Sequence, residues 1–184
     1  MLVLASASPR RKEILKNLGY EFECLPVDID ETIQNGVLPE TAVSGLAQKK
    51  AAAALKLRPD CVVIGSDTVV VLDGKILGKP RDRDHAFQML KSLSGRVHTV
   101  YTAVAIMSES KNEVFCSNTD VEFYPLTDEE IKEYIDTKEP MDKAGAYGIQ
   151  GKGMTLVKRI SGDFYTVVGL PAAETARRLR EFGF

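Results

Sequence analysis

The chain has 184 residues, 44% of them hydrophobic, and 24 Lys and Arg against 26 Asp and Glu give a formal net charge of −2. That length and apolar content support a single domain over residues 1–184 with a real core, and the slightly acidic balance argues against a general nucleic-acid partner. In chain order, Met1–Ala5 reads as a short buried strand. A helix follows from about Ser8 to Leu18, with Ser8 as N-cap, Pro9 at the first helical position and Gly19 as its stop. Tyr20–Leu25 alternates weakly, as a strand would, and the acidic stretch Asp28–Gly36 reads as a loop. Pro39–Leu57 carries helical spacing and ends before Pro59, while Cys61–Leu72 is strand-like and turns at Asp73–Gly74 into Lys75–Leu77. Asp82–Leu93 reads as a helix, Val97–Met107 and Glu113–Tyr124 as long paired strands, and Thr127 with Glu130 as the capping box of a helix to about Ile135. The glycine-rich stretch Gly145–Gly153 reads mostly as loop, Met154–Ile160 and Phe164–Val168 as a hairpin, and Pro171–Phe182 as a closing helix. Hairpins mixed with helical crossovers predict an α/β fold with a mixed sheet.

Three cysteines, Cys24, Cys61 and Cys116, form no CxxC or Cys/His spacing, and their odd number argues against a disulfide framework. A reducing, cytoplasmic compartment is the expectation. The opening "MLVLASAS" does not look like a signal peptide. No apolar run approaches the ~18 residues of a membrane span.

Several residues sit where their chemistry is costly. Arg10, Arg11 and Lys12 crowd the first turn of the first helix, where the macrodipole is already positive and anions are favoured. Arg11 lies one turn before the apolar stripe of Ile14, Leu15 and Leu18. Either these are solvated surface arginines, or an anion completes the turn. Helix-terminal N–H groups and arginine forks both suit phosphate, and Ser6 and Ser8 add hydroxyl donors. Lys50 falls on the stripe of Val43, Ala47, Ala54 and Leu57, so its ammonium either snorkels to water or is paired. Asp67 interrupts the apolar run "CVVIGSDTVVVL". It marks either a turn between two short strands or a carboxylate at a strand end, suited to general base or metal ligand. "DIDET" could supply a second carboxylate; Lys79 in "LGKPRD" and Arg96 in "SGR" add cations. The glycines of "KEPMDKAGAYGIQG" allow close backbone approach to a ligand, and Gln150 carries an amide that could read a base edge. Neither a Walker A loop nor a dinucleotide fingerprint is present.

Taken together, "ASASPRR", Asp30–Glu31, "QKKA", "GSDTVV", "GKP", "LSGR", "KEPMDKAGAYGIQG" and "GDFYTVVGLP" resemble the Maf family, the septum-formation-inhibitor-like nucleotide pyrophosphatases, in order along nearly the whole chain. The resemblance implies an elongated mixed-sheet α/β fold, similar to that of inosine-triphosphate pyrophosphatases, with a substrate cleft between two lobes. It also implies hydrolysis of a nucleoside triphosphate to the monophosphate and pyrophosphate with a divalent metal cation, Mg²⁺ or Mn²⁺. By resemblance, Asp67 is the proton acceptor, Glu31 and Asp67 hold the metal, and Ser6, Ser8, Arg11, Lys50 and Lys79 bind phosphate. Arg10, Thr68 and Gln150 match the branch that prefers dTTP and UTP, with modified pyrimidine triphosphates as further candidates. A homodimer is plausible on the same ground. The competing expectation is a nucleotide-binding regulator of septum formation that acts without catalysis; the paired carboxylates Glu31 and Asp67 favour the enzyme.

Overall fold

A computed structural model describes residues 1–34 and 36–184. Asn35, inside the loop expected over Asp28–Gly36, lies outside the described residues. The chain is a mixed α/β structure. Its strands are β1 (Leu2–Leu4), β2 (Phe22–Cys24), β3 (Val62–Leu72), β4 (Lys75–Leu77), β5 (Val97–Met107), β6 (Asn112–Phe123) and β7 (Val157–Gly162). Its helices are α1 (Pro9–Asn17), α2 (Pro39–Leu57), α3 (Arg83–Leu93), α4 (Asp128–Asp136), α5 (Phe164–Val168) and α6 (Ala172–Arg180). The strands form one seven-stranded sheet ordered β2-β1-β3-β5-β6-β7, with β4 paired to β3. The chain divides into two compact units, and β3, β5 and β6 contribute residues to both.

The first unit comprises Met1–Asp67, Thr102–Ser117 and Gly169–Phe184. Here β1 runs parallel to β2 and to β3, with Leu4 opposite Cys24 on one side and Ile64 on the other. Parallel strands covered on both faces read as unbroken apolar runs, and Leu2, Val3, Leu4, Val63 and Ile64 are all fully buried. Helix α1 starts where expected: Ser8 is extended and its side chain accepts from Arg11 N, with Pro9 behind it. It stops before Gly19, whose φ is +84°. Helix α2 buries Val43, Ala47, Ala51 and Ala54. Its small residues allow close packing on β3, and Gly65 completes the fit, since a Cβ there would meet Ala51 N at 2.6 Å.

The second unit comprises Thr68–Tyr101 and Asn118–Val168. Val70 pairs with Leu77 across the β3–β4 turn, where Asp73 and Gly74 both take positive φ. Asp82 caps α3 by accepting from His85 N at 2.7 Å, and Thr127 and Glu130 form the expected capping box on α4. The core gathers Leu90, Leu93, Phe123, Ile131 and Ile135 with the buried Tyr147. Tyr147 Oη lies 2.7 Å from His98 Nε2, and both rings meet Phe123 edge-on. Burial lowers the His98 pKa to about 4. A protonated ring would also carry an Nδ1–H, and that atom has no partner among the described residues.

One expected hairpin is corrected. Strand β7 does not pair with Phe164–Val168; it pairs antiparallel with β6, with Val121 opposite Ile160. Phe164–Val168 is helical. Its β-branched composition suggests a strand, but Asp163 accepts from both the N–H and the hydroxyl of Thr166, at 2.8 and 3.0 Å, and that local cap wins. The stretch from Gly151 to Thr155 is a 3₁₀ segment, so β7 starts only at Val157.

Candidate active site

The first unit brings together most of the residues singled out by their cost. The N-cap of α1 faces a compact set of donors. Ser6 is buried; its hydroxyl oxygen accepts from Ser8 N and from Arg11 Nη1, both at 3.2 Å. Arg11 Nε donates to the Gly169 carbonyl at 2.8 Å, across 158 residues of sequence. Ser66, fully buried on β3, donates its hydroxyl to the same carbonyl at 3.1 Å. Arg11 is therefore held inward and is not a solvated surface group. Burial pulls its pKa below the ordinary value, against the pull of Asp67 and Glu31 and with the push of Arg10. A desolvated guanidinium beside a second arginine at a helix N-terminus suits a multiply charged anion.

Lys50 settles the second ambiguity. Its ammonium does not snorkel alone to water. It lies 2.5 Å from Asp67 Oδ1 and 2.7 Å from Glu31 Oε1. The Lys50 and Asp67 side chains are 12% and 14% exposed, and Glu31 is 50% exposed. Asp67 sits within the continuous strand β3, so "GSDT" is not a turn. The loop "DIDET" thus supplies the second carboxylate through Glu31, while Asp30 bonds its own loop by accepting from Thr32 N at 2.9 Å.

Among the described residues, no group of three or more His, Cys, Asp and Glu side chains could hold a metal ion. Two carboxylates do converge on one cationic centre. That donor set fits Mg²⁺, which commonly uses one or two carboxylates and takes its other oxygens from phosphate and water.

Thr68, Lys79 and Gln150 belong to the second unit. Thr68 follows Asp67 on β3, and strand alternation places the two on opposite faces. Lys79 is exposed just after β4, and Gln150 is exposed in the glycine-rich segment. These two segments meet, because Gly145 N donates to the Gly78 carbonyl at 3.0 Å. Sequence reasoning missed Ser66 and the Gly169 carbonyl. Their only signal was position, Ser66 beside Asp67 and Gly169 within "VVGLP".

The sequence matches the Maf family, described as Maf-like protein, over residues 1–182. It is 55% identical over 181 residues to the dTTP/UTP pyrophosphatase of Bacillus velezensis, covering 98% of this chain and 96% of that protein. It is 50% identical over 185 residues to the dTTP/UTP pyrophosphatase of Carboxydothermus hydrogenoformans, covering 100% and 99%. Similarity to solved structures includes a HAM1 protein from Coxiella burnetii, with TM-score 0.49 and 20% identity over 66% of this chain and 72% of that one. A Staphylococcus aureus Ham1 protein matches with TM-score 0.46 and 17% identity over 66% and 71%.

Proposed function

The chain belongs to the Maf family, and we propose that it is a nucleotide pyrophosphatase that hydrolyses dTTP and UTP to the nucleoside monophosphate and pyrophosphate. The observation that carries this reading is the triad of Lys50, Asp67 and Glu31 beside the half-buried Arg11. It places two carboxylates, Asp67 being the proposed base, and two cations in the first unit.

Asp67 accepts the proton of the attacking water, the role its carboxylate suits. Glu31 and Asp67 would hold a divalent cation, Mg²⁺ or Mn²⁺, which would offset negative charge on the phosphate oxygens. Arg10, Arg11 and Lys50 offer positive charge to the triphosphate, and Ser6 and Ser8 orient it through their hydroxyls; Lys79 is assigned to phosphate on the resemblance alone. Much of the acceleration then comes from positioning and preorganised charge, as in phosphoryl transfer generally. Gln150, with Arg10 and Thr68, sets the preference for the base. Uracil and thymine share a carbonyl–imide–carbonyl edge that an amide can match, whereas cytosine presents a donor in place of one acceptor. A site left with an unpaired polar group discriminates strongly. The setting is cytoplasmic, modified pyrimidine triphosphates are further candidate substrates, and a homodimer is the proposed assembly. No helix among the described residues is long and apolar enough to cross a membrane.

The test is a panel of nucleoside triphosphates with Mg²⁺ or Mn²⁺, separating pyrophosphate from single phosphate. dTMP or UMP with pyrophosphate, and purine triphosphates nearly untouched, is the expected outcome. Binding without turnover of any triphosphate would instead favour a non-catalytic regulator.

A further inference from the structure

Gln150 is exposed, with no hydrogen bond from its side chain capping the 3₁₀ segment that follows. The backbone around it is nonetheless held at both sides. Two residues before it, Gly148 N donates to Tyr134 Oη at 3.1 Å. Two residues after it, Lys152 N donates to both carboxylate oxygens of Glu139, at 3.1 and 3.2 Å. Only Ile149, Gln150 and Gly151 lie between the two holds, and Ile149 is buried.

The holds are built from opposite kinds of support. Tyr134 is a buried residue of α4, 4% exposed, whose helix is fixed by the capping box. Glu139 opens a 3₁₀ turn, Glu139–Asp142, and Lys143 Nζ donates to its carbonyl at 2.6 Å. The glycines of the segment make room for these two side chains. A Cβ on Gly151 would come within 2.8 Å of Glu139 Oε1, at a φ of +65°. A Cβ on Gly153 would come within 2.9 Å of Tyr134 Oη. The segment is strained as well: Ala146, fully buried, holds a φ of +60°. Such strain persists only where surrounding structure over-determines the backbone.

We propose that Tyr134 and Glu139 are positioning residues that fix the Ile149–Gly151 backbone so that the Gln150 amide meets the pyrimidine edge in register. This rests on the proposed dTTP/UTP activity and deepens it by naming what sets base selectivity. Reading a base by hydrogen bonds tolerates little displacement, so a site of this kind needs support behind the group that makes contact. Buried or half-buried N–H groups need partners in any loop. What marks these two is that they bracket the one exposed amide in the segment.

The experiment measures the ratio of kcat/KM for dTTP over CTP in wild type, Gln150→Ala, Glu139→Ala, Glu139→Gln and Tyr134→Phe, and in Glu139→Ala combined with Gln150→Ala. Gln150→Ala is expected to lower the ratio by about ten-fold or more. Glu139→Ala and Tyr134→Phe should each lower it by about five-fold, the scale of one lost hydrogen bond. Glu139→Gln keeps a carbonyl acceptor for Lys152 N and should restore most of the ratio. In the Gln150→Ala background, Glu139→Ala should lower the ratio no further. Tyr134→Phe keeps the ring in the core, so it reports even where Glu139→Ala folds poorly. The proposal is overturned where both single variants keep the wild-type ratio, or where Glu139→Ala lowers it equally without Gln150. A wild type that turns over neither dTTP nor UTP overturns the activity itself, and Gln150→Ala with an unchanged ratio overturns the role of the amide; each outcome is distinct from failure of the two holds alone.

Discussion

Gly65→Ala tests whether close helix–strand packing is what assembles the carboxylate and ammonium. Gly65 precedes Asp67 by two residues on β3, so both side-chain positions lie on the same face. An added Cβ would lie 2.6 Å from Ala51 N and 2.9 Å from Ala51 Cβ, and would also strike the Ala47 carbonyl. Ordinary contact begins at 3.4 Å, and the Ala47 carbonyl is the closest of the three atoms, so helix and strand must part by about 1 Å. Lys50 adjoins Ala51 on that helix, and the same displacement acts on its 2.5 Å contact with Asp67. Overpacking costs about 1–3 kcal/mol, and backbone atoms on both sides cannot swing away, so the upper end, about 3 kcal/mol, is expected. For a chain of this size that is a fall in Tm of about 6–12 °C. A misplacement near 1 Å also costs activity, on the order of 10²-fold in kcat/KM. Thermal unfolding by circular dichroism and dTTP hydrolysis well below the new Tm measure the two effects. Ala51→Gly in the same background removes only the Cβ contact, so it should not restore either. Wild-type Tm and kcat/KM in Gly65→Ala, or full rescue by Ala51→Gly, would refute this account of the packing.

Asp67→Asn preserves shape but removes the base, and kcat should fall by on the order of 10²-fold or more; steady-state turnover near wild type would remove Asp67 from the chemistry. His98 is neutral in the fold, with its pKa lowered from 6.5 to about 4 by burial. The unfolded chain binds that proton more readily, so the His98 contribution is complete above pH 6.5 and is lost as pH falls toward 4, by about 3 kcal/mol. Urea unfolding at pH 7 and pH 4 should show that loss in wild type and not in His98→Gln, and equal losses in both would sink the assignment. Gly145→Ala adds a Cβ 3.0 Å from both Val70 methyl carbons at a φ of +70°, whereas Gly74→Ala has a φ of +73° with nothing within 4 Å. Backbone strain of about 1 kcal/mol is common to both, so Gly145→Ala should be the more destabilising in denaturant titration, and equal midpoints would count against the contact.

Much of the local structure was legible because its causes are local. Ser8, Asp82 and Thr127 cap helices through groups three residues away, and Pro39 and Pro59 bracket α2 in the sequence itself. The exception, Phe164–Val168, shows two local signals in conflict. Strand propensity lost to the hydrogen bonds of Asp163 with Thr166, and β7 found its partner in β6 instead of in the next segment. Propensity is a weak prior that a single cap or a distant strand can override.

For the site, the sequence by itself determined which residues were anomalous: arginines in a first turn, a lysine on a buried stripe, a carboxylate inside an apolar run. Each is unfavourable alone, and burial cost is a property of residue type and pattern, so the anomaly is readable without a fold. Only the tertiary structure decided how each cost is met. It set Lys50 against Asp67 and Glu31, and Arg11 and Ser66 on one carbonyl at Gly169. It also bonded Tyr134 and Glu139 to the backbone N–H groups two residues before and two residues after Gln150. Those pairings depend on distances between segments far apart in the chain, which close packing fixes and sequence spacing does not.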